Sequence, residues 1–170
     1  MPDAHFCKSA QGWLELGNPR EALRELKKIR ADFQGHPVVL AVWLDAWIAS
    51  GRWAQARQLG EKLCSEFPGE PGFWLGCAYA TRRSRGGGLV AASAVLERVV
   101  DMFPKEWAVP FNLACYHCKL EKMEDAQRLL LRAVRIGGES VRQAALRDED
   151  LESLWLWVAN ELPMTGDSTN

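Results

Sequence analysis

Neither sign of charge dominates this sequence: Lys plus Arg number 21 and Asp plus Glu 22, for a formal net charge of −1. With no basic excess to neutralise phosphates, nucleic acid is not an expected partner. Long apolar runs are missing as well. The longest, Val38 to Ile48, is broken by Asp45 and falls well short of the ~20 residues that cross a bilayer, so no membrane partner is expected. The first residues, Met1-Pro2-Asp3-Ala4-His5-Phe6, show no charged segment followed by an apolar one, as a secretory signal would. Five cysteines make an odd and scattered set, a poor disulfide framework, so reduced thiols are expected. These absences predict a soluble, cytoplasmic protein. Tyrosine is scarce too, at two residues against eight tryptophans. Large aromatic anchors are therefore mostly indoles, whose N–H groups need partners when buried.

Signatures of catalysis are equally sparse. No Gly-rich loop is followed by Lys-Ser/Thr, and neither a His-Glu-x-x-His pair nor a nucleophile elbow occurs. Gly86-Gly87-Gly88 follows no strand pattern and reads as a turn. His5, His36 and His117 are far apart in sequence, without an evident acidic orienter. Cys115-Tyr116-His117-Cys118 is the nearest approach to a metal or redox motif. Zinc needs four ligands and no second Cys/His pair lies nearby, and the residue order is wrong for haem attachment. Cys115 and Cys118 read as small apolar groups on one side of a helix. No enzyme activity, cofactor or metal is expected.

What the sequence does contain is a repeat. Ala22, Ala56, Ala92 and Ala126 are spaced 34, 36 and 34 residues apart, each followed four residues later by Leu26, Gly60, Leu96 or Leu130. A second column, Ala10, Leu44, Ala78 and Ala114, has steps of 34, 34 and 36. Both columns place two additional residues between Ala78 and Ala92, where Ser84-Arg85-Gly86-Gly87-Gly88 lies. A third slot holds Ile29, Leu63, Val99 and Ala133. Within one period, Leu40, Trp43, Leu44 and Trp47 follow a helical face, Gly51 makes a turn, and Trp53, Ala56, Leu59 and Leu63 form a second stripe. Pro19 suits a helix start, Pro68 and Phe103-Pro104 a helix end, and Gly137-Gly138 a final stop.

A helix–turn–helix period of 34 residues resembles the tetratricopeptide repeat (TPR). The family's W-x2-L-G-x2-Y pattern is echoed in Phe6-Ser9-Ala10-Trp13, Leu40-Trp43-Leu44-Trp47, Trp74-Cys77-Ala78-Thr81 and Pro110-Leu113-Ala114-His117. Three positions depart from it: Leu44 is large where the family is small, Gly60 replaces a bulky residue, and Pro110 lies in a helical stretch. The resemblance implies an all-α, right-handed superhelical solenoid of four helix pairs, over residues 4–36, 37–70, 71–105 and 106–138. A capping helix over 139–163, with the stripe Leu151, Leu154, Trp155, Val158 and Leu162, would close the last repeat. A frayed tail would follow over 164–170, and the whole of 1–170 would be one domain.

In such a solenoid the first helix of each pair lines an inner, concave face. That face would carry Gln11, Glu15, Asp45 and Ile48, then Tyr79, Arg82, Arg83, Phe111, Cys115, Cys118 and Lys119. Tyr79, Arg82, Arg83, Phe111, Cys115 and Lys119 are the expected partner-binding groove, suited to a protein or peptide with acidic and apolar side chains. The family's carboxylate clamp for heat-shock chaperones has no counterpart, since the matching slots hold Cys7, Ala41, Leu75 and Phe111. Trp157, beside Leu156 and off the cap's stripe, is the expected second contact, for a neighbour or a homodimer. The expected function is a scaffold or adaptor; the alternative is a dedicated secretion-type chaperone or an assembly subunit of a larger complex.

Overall fold

Proline and glycine set the helix boundaries. Pro19, Pro37 and Pro71 each open a helix, where the missing N–H costs nothing and the fixed φ fits. Gly17 and Gly51 turn the chain with φ of 70° and 69°, a conformation that strains residues with a Cβ. A computed structural model describes residues 3–162. The expected frayed tail over 164–170, and the end of the expected cap at 163, lie outside the described residues.

Every regular element among the described residues is helical. In order they are α1 (Ala4–Glu15), α2 (Pro19–Leu26), α3 (Ala31–Gln34), α4 (Pro37–Ala49), α5 (Trp53–Glu66) and α6 (Pro71–Arg83). Then come α7 (Leu89–Glu97), α8 (Ala108–Lys119), α9 (Met123–Gly137), α10 (Glu139–Ala145), a 3₁₀ turn (Glu149–Leu154) and α11 (Trp155–Asn160). No described helix is long and apolar enough to cross a membrane. The helices group into two compact units, residues 1–86 and 87–170. The boundary falls in Gly86-Gly87-Gly88, inside the third expected pair and at the site of the two inserted residues.

In the first unit α2 packs on α1 and α4, and α5 packs on α4 and α6. The first helices also touch one another, α1 on α4 and α4 on α6. One core gathers Ala10, Ala22, Leu26, Ile29, Val39 and Val42, with Trp13, Trp43 and Trp47 packed against it. A second holds Leu44, Ala56, Leu59, Leu63 and Ala80. In the second unit α8 lies against α7, α9 and the 3₁₀ turn, while α10 packs on α9 and α11. All three sequence columns are buried at every position, and the alanines of both alanine columns are fully buried. Small residues there let helix axes approach closely.

The departures from the repeat are matched by their neighbours. A Cβ on Gly76 would lie 2.8 Å from Leu44 Cδ2, so a glycine on α6 makes room for the large Leu44. A Cβ on Gly60 would lie 2.9 Å from Cys77 Cα, so α5 and α6 touch nearly backbone to backbone. Pro110 is the third residue of α8, in the first turn, where no intrahelical bond is lost.

The expected single capping helix is corrected to three short elements. Gly138, with φ of 72°, separates α9 from α10. Asp148 then accepts from the Asp150 N–H at 2.9 Å and starts the 3₁₀ turn. The apolar stripe survives this break, with Leu151, Leu154, Val158 and Leu162 buried. Its spacing of three and then four residues follows the change from 3₁₀ to α geometry. Trp155 is half-buried, its indole N–H donating to the carbonyls of Ala145 and Asp148 at 3.1 and 3.2 Å.

Candidate functional site

The six expected groove residues fall three in each unit. In the first, Tyr79 and Arg83 sit one helical turn apart on α6, and Trp53 approaches them from the start of α5. The Arg83 guanidinium lies 3.7 Å from the centre of the Tyr79 ring and 5.6 Å from that of Trp53. The two rings meet edge-on at 6.0 Å. Stacking occupies the face of the guanidinium and leaves its N–H edge to bind an acceptor. Arg82 is half-buried and engaged. Trp53 was not expected here, since it lies on a second helix; its position right after the Gly51 turn is the signal that could have placed it.

The same unit has a concavity of about 530 Å³ between the first helices α1 and α4, lined by Gln11, Leu14, Glu15, Asp45 and Ala49. Its charge is acidic. The Asp45 side chain reaches solvent, but the surrounding atoms strip enough water from the carboxyl to push its pKa up.

In the second unit the expectation is corrected. Phe111 and Cys115 are only 7% and 4% exposed, and Cys118 is 4% exposed, so none presents a side chain to a partner. The cap's 3₁₀ turn lies along α8 and brings the backbone of Ser153 to Cys118, whose thiol pKa burial pushes up. Phe111 also packs edge-on against Trp107 at 5.8 Å. Lys119, at the end of α8, is exposed. Trp157 is half-buried while its neighbour Leu156 is 77% exposed.

One constellation escaped the sequence reading. His117 on α8, 6% exposed, has Nε2 3.1 Å from Ser93 Oγ and 3.0 Å from Glu97 Oε1, both on α7. The Ser93 hydroxyl donates to Glu97 at 2.8 Å. That carboxylate can only accept, so Nε2 carries the proton and donates to both oxygens. Nδ1 makes no hydrogen bond and stands 3.8 Å from Asp125 Oδ2 on α9. The bonds from Ser93 and His117 hold the Glu97 carboxyl below its ordinary range. Arg128 does so first for Asp125, with His117 adding a smaller effect. His117, Glu97 and Asp125 line a pocket of about 670 Å³ with Arg128, Arg132 and Arg135. Ser93 is 3% exposed and already donates to Glu97. With Nε2 a donor, the histidine cannot take the serine proton, so in this arrangement the group ties α7 to α8, with Asp125 of α9 alongside. The orienting carboxylates lie 20 residues before and 8 after His117, distances that no local motif marks.

No group of three or more His, Cys, Asp or Glu suited to a metal ion occurs among the described residues. No family model, curated protein or solved structure matches this chain.

Proposed function

We propose that the chain is a tetratricopeptide-type repeat scaffold, wound as a right-handed superhelical solenoid, that binds a segment of another protein along the face of its first helices. The observation that carries this reading is the packing of the first unit. There α1, α4 and α6 contact one another in sequence while α2 and α5 each pack on the two first helices flanking them, the arrangement a helix-pair solenoid requires. The concavity between α1 and α4 is made from first helices alone, where the resemblance places a binding face.

The chemistry of that face runs from acidic to basic. Glu15 and Asp45 lie at α1 and α4, and the Trp53–Tyr79–Arg83 ledge at α6. A partner segment with a basic residue at one end and a carboxylate at the other would complement both. Binding would draw on an Arg–carboxylate fork and on aromatic packing rather than on area alone.

Photo-crosslinkers placed at Gln11, Tyr79 and, on α5, the exposed Gln58 test this. Capture of one partner from Gln11 and Tyr79 but not from Gln58, with loss on Arg83→Glu, is the expected outcome. Equal capture from all three, or capture unaffected by charge reversal at both Glu15 and Arg83, would count against it.

A further inference from the structure

Helices α7 and α9 both pack on α8, and the space left between them is the pocket of about 670 Å³ that His117 lines. It follows α9 from Lys122 to Ile136, a run of about 20 Å at roughly 1.5 Å per residue. The facing wall keeps pace with it. Glu97 meets His117 near Asp125, and Asp101 meets Arg132 two turns farther along. Leu113 and Leu129, both buried, supply an apolar floor. A volume drawn out over this length is a trough about one chain wide, and an extended peptide of about six residues spans the same distance. A compact metabolite would leave most of it empty.

The charges of the trough are unevenly satisfied. Four cations line it against three carboxylates, and each carboxylate is already engaged within the chain. Asp125 holds Arg128 at 2.7 Å, Asp101 holds Arg132, and Glu97 accepts from Ser93 and His117. Lys122 and Arg135 are exposed and have no ion-pair partner among the described residues. Arg132 is held in place by the Val100 carbonyl at 2.7 Å, while the Asp101 side chain on its other nitrogen is 90% exposed. Such an exposed pair contributes little, so an incoming carboxylate can take the place of Asp101 on a guanidinium that is already oriented.

The other end of the trough lacks a donor. His117 Nδ1 is buried without a hydrogen bond and faces Asp125 Oδ2 at 3.8 Å, acceptor toward acceptor. The half-exposed Asp125 side chain has room to shift, and an N–H group entering beside it would serve both atoms. An unmade bond of this kind costs stability until a donor arrives.

We propose that this trough binds an extended acidic segment of another protein, with its carboxylates on Arg132 and Arg135 and its backbone N–H groups toward His117. Length, excess positive charge and the missing donor all point to the same occupant. Arg–carboxylate forks would fix its register, and apolar side chains would settle on Leu113 and Leu129. This surface belongs to α7 and α9, so it is separate from the first-helix face and does not rest on that reading.

A suitable probe is an octapeptide alternating aspartate and leucine, carrying fluorescein and one photoreactive leucine. Anisotropy should show saturable binding by the intact protein, and irradiation should place crosslinks within residues 97–136. Arg135→Glu, at an exposed position, should weaken binding by about tenfold or more and remove those crosslinks, whereas Arg83→Glu should leave them in place. The proposal is overturned by no binding at millimolar peptide, or by equal binding of the lysine–leucine counterpart. Competition by free aspartate as effective as by unlabelled peptide would make this a small-anion site and would overturn it too. Crosslinks confined to residues 3–86 would also overturn it and would assign the peptide to the Arg83 ledge. The wild-type crosslink map decides the matter even if Arg135→Glu melts early.

Discussion

Two helix contacts of the first unit close on glycines, and in the second unit a buried histidine and a buried arginine join neighbouring segments. At α5–α6 the contact is Gly60 on the Cys77 backbone, and at α4–α6 it is Gly76 against Leu44. In the second unit Ser93, His117 and Arg142 are all buried. His117 joins α8 to α7, and Arg142 reaches Glu139 and the Ala159 carbonyl, both at 3.1 Å. Close packing has no tolerance for added volume but is indifferent to charge. A polar clasp tolerates small shifts but loses its value when a partner is removed or neutralised. The two halves of one chain should therefore fail under different insults.

The largest contrast should come from adding atoms. Gly60→Val should destabilise by about 1–3 kcal/mol, because the neighbour it meets is backbone and cannot swing aside. Gly12→Ala, a helical glycine in the same unit with nothing within 4 Å of its Cβ, should instead stabilise by about 0.5–1 kcal/mol. Thermal melts read both, and equal signs would remove close approach as the explanation. Next comes His117→Leu, which keeps bulk but removes the clasp and should cost about 1–2 kcal/mol. Hydrogen exchange should locate that loss in α7, α8 and α9; an unchanged pattern would reduce His117 to filler.

A smaller effect tests the turns. Gly17, Gly51 and Glu121 hold equivalent positions between paired helices, and Glu121 alone of these carries a side chain, at φ of 61°. Glu121→Gly should gain about 1 kcal/mol by relieving that strain. A loss would mean that the Glu121 side chain makes a contact worth more than the strain.

The smallest effect is acid sensitivity, and it should differ between the units. Glu97, Asp125 and Glu139 in the second unit all have lowered pKa values, from the Ser93, Arg128 and Gln143 bonds respectively. Each contributes stability above the ordinary carboxylate range that is lost as pH falls through its folded value. In the first unit Asp3 is lowered by the Arg30 backbone N–H, but Asp45 is raised by burial, and its penalty is relieved as pH falls. Exchange protection compared at neutral pH and at about pH 4 should fall further in α7–α9 than in α4–α6. Parallel losses would dissolve the distinction.

Much of the fold was legible because burial repeats with the chain. The alanine columns, Pro19, Gly51 and Gly137-Gly138 are local signals, and each lies where its residue type is useful. What stayed hidden depended on neighbours from another helix. The cap's apolar stripe was readable, but not that its 3₁₀ turn would lie along α8 beside Cys118. Tyr79 and Arg83, one turn apart, could be paired from sequence, whereas Trp53 joins them only through packing. His117 seemed to lack an orienter because Glu97 and Asp125 reach it from other helices.

The fit of Leu44 against Gly76 has a consequence for inheritance. Neither position obeys the repeat when each is taken alone, yet together they keep its volume. A change at one is tolerated only once the other has moved, so the two residues are a single heritable character written at two places. Among relatives of this chain, a small residue at 44 should travel with a larger one at 76, and the mixed combinations should be the rare ones.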